Sequence, residues 1–323
     1  MTDSNFKNID LSHSSCDPLV AILLCTYNGA EFLAEQLDSL ESQTHQNWVV
    51  IASDDGSTDQ TVEILQKYQA RWPQGRLIVQ EGPKIYYPEN FLGLACDPSI
   101  RAEYYAFCDQ DDVWCPNKIE SAISQIRAVE ANGLPVLYCS RTTYVDDRLQ
   151  YIGKSPLFVF PKTFRNAIVQ SIAGGNTMVF NKVLKNLMEQ IGVVNSPSHD
   201  WWIYCVVTAV GGEVIYDQSP KILYRQHLNA LIGGENKTLP AKIERIIALL
   251  FGRFKKWNTQ NLSALEKIES IMTKDNQKIF RLFKVLRDAN IIGRIRLIQV
   301  CGIYRQTKRG TLSLYLAALI KKI

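Results

Sequence analysis

Residues 19–25 read LVAILLC, and residues 26–29, TYNG, end the run. A continuous apolar stretch with no polar alternation is what a strand buried on both faces of a parallel sheet requires. Phe32, Leu33, Leu37 and Leu40 then recur at helical spacing, and residues 48–53 (WVVIAS) form a second buried run. The alternation continues with a helical pattern over 61–68, a short strand over 76–80, a helical segment over 91–96 and a fourth strand, YYAFC, over 104–108. Strands alternating with helices predict a doubly wound α/β sheet with right-handed crossovers. Such sheets bind ligands beyond the carboxyl ends of their strands, so the residues after each strand are the first candidates for function.

The rest of the chain sets limits on this reading. Its 323 residues are enough for one large or two modest domains, and 46% hydrophobic with 21% charged residues is ordinary globular usage. Collagen, coiled coil and bulk disorder are excluded. The eight cysteines are scattered without a Cys-x-x-Cys pair, which suggests reduced, buried thiols and neither a zinc cluster nor a disulfide framework. Residues 1–17 are polar and lack an apolar h-region, so they read as a disordered lead-in, and a cytoplasmic location is expected. After Pro116 a helix is expected to about Glu130, followed by strands over 136–140, 177–180 and 214–216. A Gly-containing loop over 229–238 ends at Pro240, where the composition changes. Residues 18–239 are therefore read as the catalytic domain and residues 240–323 as a basic helical region.

Charge sharpens that division. The formal net charge of +4 argues against a nucleic-acid partner, but it is a cancellation. Residues 240–323 hold 18 Lys and Arg against five Asp and Glu, a net +13, which leaves −9 for residues 1–239. In the basic part Ile243, Ile246, Ile247, Leu250, Phe251, Phe254 and Trp257 follow helical spacing beside Lys242, Arg245, Arg253, Lys255 and Lys256. This stripe suits an anionic membrane surface, or packing on the catalytic domain or on a second chain in a homo-oligomer.

Three constellations carry chemistry. At the first two strand ends, the ring of Tyr27 can stack on a base while the Asp55 carboxylate accepts from a base N–H, as holding a pyrimidine would need. The bland alternative is that Asp-Gly-Ser-Thr-Asp (55–59) is only a turn in which Ser57 or Thr58 caps the next helix. At the fourth strand end, Asp109, Asp111 and Asp112 place three carboxylates in four residues. They repel one another unless a cation joins them, and hard oxygen ligands favour Mg²⁺ or Mn²⁺ shared with a nucleotide diphosphate. At Ser198-His199-Asp200-Trp201-Trp202 a carboxylate opens a helix beside bulky aromatics that would raise its pKa, which suits a general base, though an acid favoured by the helix dipole reads equally well. After a further strand, Arg225 or His227 could meet a diphosphate or a metal.

Together these segments, with Leu23–Asn28 (LLCTYN), Ser53–Asp59, Phe107–Trp114, Gly175–Asn181, His199–Trp202 and Tyr224–His227 in this order, resemble glycosyltransferase family two and its bacterial rhamnosyltransferase branch. The resemblance covers about residues 19–234. It implies the GT-A fold and a nucleotide-sugar donor, with Thr26, Tyr27 and Asn28 around the nucleotide, Asp55 reading the base and Asp54 supporting it. It puts Asp111 as the first metal ligand, Asp109 and Asp112 on donor sugar or metal, Asp200 as catalytic base, and Arg225 and His227 near the diphosphate or metal. The implied chemistry is a single inverting displacement, from dTDP-L-rhamnose before UDP- or GDP-sugars, onto a lipid-linked surface glycan at the inner face of the cytoplasmic membrane. A receiver-like signalling module built on Asp54 and Asp55, and a non-catalytic carbohydrate-binding protein, are the alternatives from other classes; the first leaves Asp109 to Asp112 unexplained.

Overall fold

A computed structural model describes residues 17–85, 87–130, 133–226 and 253–323. The expected alternation is present as β1 (Val20–Thr26), α1 (Leu33–Glu41), β2 (Trp48–Asp54), α2 (Thr61–Arg71), β3 (Leu77–Glu81), α3 (Tyr87–Cys96) and β4 (Tyr104–Cys108). There follow β5 (Val113–Trp114), α4 (Lys118–Arg127), β6 (Val136–Ser140), β7 (Thr143–Val145), β8 (Tyr151–Lys154) and α5 (Phe164–Ala167). Next come β9 (Val179–Asn181), α6 (Lys182–Ile191), α7 (His199–Ala209), β10 (Glu213–Asp217) and β11 (Ile222–Arg225).

The main sheet has seven strands in the order β10-β6-β9-β4-β1-β2-β3. β1 pairs in parallel with both β2 and β4, and β2 with β3, while β9 runs antiparallel between β4 and β6. The apolar run of β1 is divided between two cores. Val20, Ile22 and Leu24 join Leu33, Leu37 and Leu40 of α1 and Ile119 and Ile123 of α4 on one face. Ala21, Leu23 and Cys25 join Phe91 and Leu94 of α3 and Trp202 of α7 on the other. Each fully buried Leu or Ile contributes roughly 1.5–3 kcal/mol, so a strand buried on both faces is an anchor that fixes its own register.

A second sheet, β5-β11-β7-β8, was not foreseen. Its strands are short, and β8 is mostly exposed, so no apolar run marks them. It also corrects one placement: Tyr224 and Arg225 lie within β11, paired with Tyr144 and Val145 of β7, rather than after a strand. The strand expected over 177–180 begins later, at Val179, because residues Gly175–Thr177 form a 3-10 turn. All seven described cysteines are free, and five of them are buried.

Among the described residues four α-helices follow: α8 (Arg253–Glu266), α9 (Lys274–Asp288), α10 (Ile291–Cys301) and α11 (Lys308–Leu319). The proposed boundary at Pro240 and the stripe residues from Ile243 to Phe251 lie outside the described residues. The described end of that stripe packs inward. Phe254 is buried, and Trp257 meets Trp201 of α7 edge to face with ring centroids 6.4 Å apart. Leu265, Phe280, Phe283, Leu314 and Ala318 extend the same core, and Asn276 Nδ2 donates to the carbonyls of Thr208 and Ala209 at the end of α7. No described helix is long and apolar enough to cross a membrane.

Candidate active site

The ends of β1 and β2 are tied together residue by residue. Thr26 is paired with Asp54 in the parallel register, and its hydroxyl donates to Asp54 Oδ1 at 2.8 Å. Asp54 also accepts from the backbone N–H groups of Gly56 and Ser57 and from the Ser57 hydroxyl, at 3.1, 2.8 and 2.6 Å. This buried carboxylate therefore shapes the loop that carries Asp55. Asn28 has φ 46°, a left-handed conformation Asn tolerates, and its Oδ1 accepts from Thr58 N at 2.8 Å while its N–H donates to Ser57 Oγ at 2.9 Å. Neither Ser57 nor Thr58 caps α2; Asp59 accepts from the Thr61 N–H and hydroxyl instead. Burial pushes the Asp59 carboxyl up, but the bonds from Thr61 and Ala30 outweigh it and hold the group below its ordinary pKa.

Tyr27 projects from this edge with 58% of its surface exposed. Its backbone is clamped by Gln110, which accepts from Tyr27 N at 2.8 Å and donates to Tyr27 O at 2.9 Å. Gln110 was passed over in the sequence because the run 109–112 drew notice for its acids. A Cβ on Gly29 would stand 2.1 Å from Gln110 Oε1, so the clamp requires glycine there. Asp55 is half-buried, and its Oδ1 accepts from Lys84 N at 2.5 Å. Beside it a cleft of about 330 Å³ is lined by Asp54, Gly56, Ser57, Val79, Glu81 and Lys84.

The acidic strand end divides into different environments. Asp112 is fully buried, with Asn176 Nδ2 donating to its Oδ2 and Arg225 N to its Oδ1 at 3.3 Å. Asp109 and Asp111 keep partly open faces. Burial, then the charges of Asp111 and Asp200, push the Asp109 carboxyl well above the usual carboxylate range. His199, the neighbour of Asp200, meets Phe107 of β4 with ring centroids 4.8 Å apart, so the start of α7, with Asp200 91 positions beyond Asp109 in the chain, lies beside the end of β4. Asp200 stands in the first turn of α7, accepts from the Ser198 hydroxyl and the Trp201 N–H, and has its pKa raised by burial.

Arg225 is not on the open edge. Its side chain is buried, with Nε donating to the Asp111 carbonyl at 3.0 Å, Nη1 to the Asp147 carbonyl and Nη2 to Glu35 Oε2 at 2.5 Å. Three of its five guanidinium N–H groups are engaged in this way, and the bond to the Asp111 carbonyl braces Asp111 from behind. His227 lies outside the described residues. Burial, then the charges of Asp112, Asp109 and Asp111, push the Tyr224 phenol up. Lys118 is likewise buried near Asp112, its ammonium 3.3 Å from the Trp114 ring centroid, and burial pulls its pKa down to about 7.

The residues fit a divalent cation in one respect. Asp109 and Asp112 are pushed up by burial and by neighbouring carboxylates, which marks a surplus of negative charge that a cation would relieve. Among the described residues no three His, Cys, Asp or Glu side chains converge into a complete metal cage. Magnesium sites commonly use only one or two carboxylates and complete their shell with substrate phosphates and water.

Behind this edge His199 is packed among aromatic rings, stacked on Phe91 at 4.0 Å and edge-on to Phe107 at 4.8 Å. A Cβ on Gly175 would lie 2.0 Å from its Nε2, so the turn that aims Asn176 at Asp112 also needs glycine. Neither ring nitrogen has a hydrogen-bond partner, and burial lowers the pKa to about 3. The unfolded chain takes up this proton near pH 6.5, whereas the folded chain resists it down to about pH 3. Stability should therefore fall with pH through that window, by up to about 1.4 kcal/mol per unit from this group. Denaturant melts from pH 7 to 4 should show a shallower decline for His199→Leu; an unchanged slope would show that the imidazole titrates normally in the fold.

A mostly parallel sheet with a cleft beside the ends of β1 and β2, an acidic end on β4 and a carboxylate at the start of α7 is the arrangement of a GT-A glycosyltransferase. Residues 21–188 match the family described as Glycosyl transferase family 2, and the chain belongs to it. It is 29% identical over 235 residues to the dTDP-rhamnosyl transferase RfbG of Shigella flexneri, covering 69% of this chain and 78% of that protein. An uncharacterized glycosyltransferase of Rickettsia typhi is 26% identical over 311 residues, covering 88% of this chain and 89% of the relative. In fold, the chain resembles S. aureus TarS 1-349 in complex with UDP, with a TM-score of 0.52 at 17% identity over 94% of this chain and 88% of the other. The mannosyltransferase PcManGT of Pyrobaculum calidifontis, in complex with GDP-Man and Mn²⁺, gives a TM-score of 0.50 at 16% identity over 97% and 88%.

Proposed function

We propose that the protein is an inverting, divalent-metal-dependent glycosyltransferase that moves L-rhamnose from dTDP-L-rhamnose to a hydroxyl of a lipid-linked surface glycan, at the inner face of the cytoplasmic membrane. The observation that carries this reading is the start of α7, with Asp200, packed through His199 beside the end of β4 that leads into Asp109 and Asp111. Thr26, Tyr27, Asn28 and Asp55 serve the nucleotide, Tyr27 by stacking and Asp55 by accepting from a base N–H, with Asp54 holding their loops in shape. Asp111 and Asp109 would hold Mg²⁺ or Mn²⁺, which supplies positive charge for the departing diphosphate when bound. Asp112 and Arg225 act through Asp111 by fixing its backbone and surroundings.

Asp200 takes the proton of the acceptor hydroxyl. That oxygen attacks the anomeric carbon from the side opposite the leaving nucleoside diphosphate, so the C–O bond to the donor breaks as the new glycosidic bond forms. Burial raises the pKa of Asp200 and with it the basicity of its carboxylate. Similarity to RfbG favours the rhamnosyl donor. Incubation of the full chain with dTDP-, UDP- and GDP-sugars should release dTDP fastest from dTDP-L-rhamnose, and EDTA should abolish release. Faster turnover of a UDP- or GDP-sugar would move the donor assignment, and undiminished release in EDTA would remove the metal.

A further inference from the structure

The last two helices are covered on one side only. α10 buries Arg294, Ile298 and Cys301, and α11 buries Leu314, Ala317 and Ala318. On their other faces α10 exposes Ile291, Ile292, Ile295 and Val300, and α11 exposes Leu312, Leu316 and Ile320, each between 48% and 63% open. Leu312, Leu316 and Ile320 fall at i, i+4 and i+8, a stripe along one side of the helix. Isolated exposed apolar residues need no explanation, but seven of them on two packed helices do.

Charge identifies what covers them. Residues 289–323 contain seven Lys and Arg and no Asp or Glu. Arg296 on α10, Lys308 and Arg309 at the start of α11, and Lys321 just beyond it are exposed among the apolar positions. Apolar side chains interspersed with cations and free of acids are the composition that inserts at the boundary of an anionic bilayer. A second copy of the chain fits less well, because a self-paired face would set these cations against one another without a neutralising carboxylate. Of the stripe that the sequence offers for this role, the described members are engaged elsewhere: Phe254 is in the core and Trp257 packs against it.

We propose that the exposed faces of α10 and α11 form the surface by which the protein lies on an anionic phospholipid bilayer. The proposal rests on the reading of a lipid-linked acceptor and places the docking surface on residues separate from the acidic edge. The test uses the full chain, because α8 to α11 cover the core and truncation would uncover it. Sedimentation with vesicles of phosphatidylglycerol and phosphatidylethanolamine in equal parts should carry the protein down. Binding should be roughly tenfold or more weaker on phosphatidylcholine vesicles and should weaken with added salt. The pair Leu312→Ser with Leu316→Ser, and separately Lys308→Glu with Arg309→Glu, should each lose about tenfold in vesicle binding while keeping the parent's thermal melt and its turnover of nucleotide sugar without vesicles. Failure of the parent to bind anionic vesicles, or undiminished binding by both variants, would overturn the proposal. So would a dimer in light scattering that both variants abolish, which would give the face to a second copy. Vesicle binding without any nucleotide-sugar turnover would support docking and remove the transferase reading, and turnover without vesicle binding would do the reverse.

Discussion

Asp200→Asn is expected to lower sugar transfer by roughly 10²- to 10⁴-fold, the usual contribution of a positioned general base. Asparagine keeps the shape and can still accept from the Trp201 N–H, so the start of α7 should stay intact. The mutation also removes one of the charges that push the Asp109 carboxyl up, so the melting temperature without metal should hold or rise. Stabilisation by Mn²⁺ with a nucleoside diphosphate should persist, since Asp200 serves the acceptor. Stopped transfer with nucleotide binding retained is the signature sought. Near-normal transfer would remove Asp200 from the chemistry.

Asp111→Asn is expected to cost about 10²- to 10³-fold in transfer, the equivalent of the several kcal/mol a bound cation gives to developing charge. Its distinguishing mark is in binding. Thermal shift with dTDP should gain from Mn²⁺ in the parent and lose that gain in the variant, because a ligand stabilises a fold only to the extent that it binds the native state. Asp112→Asn makes the contrast: its side chain is buried against Asn176 and the Arg225 N–H, so the gain from Mn²⁺ should be kept when it is changed. A full Mn²⁺ response in Asp111→Asn would move the metal to another carboxylate.

Much of this was legible in the sequence because β1, β2 and β4 bury their own side chains. A continuous apolar run declares such a strand without help from distant residues, and the topology then puts Tyr27, Asp55 and Asp109 at one edge. The second sheet was not legible because its order comes from partners far along the chain. Trp114 of β5 pairs with Ile222 of β11, and neither flanking segment has the length or alternation of an independent strand. The roles of Gln110 and Arg225 were hidden for the same reason. Gln110 matters through the Tyr27 backbone, 83 residues away, and Arg225 through Asp111, 114 residues away. The basic character of the end of the chain was plain, but composition could not say which helices turn their apolar side inward. α8 does, whereas α10 and α11 keep part of theirs in solvent.

The central claim is a single displacement in which Asp200 deprotonates the acceptor, and stereochemistry tests it most directly. Proton NMR of the first product formed from whichever nucleotide sugar turns over should show an anomeric configuration opposite to that of the donor; for dTDP-β-L-rhamnose this is an α-rhamnoside. A first product that retains the donor's configuration would contradict the account, because retention requires a second displacement or a front-side route in which Asp200 is not the base described here.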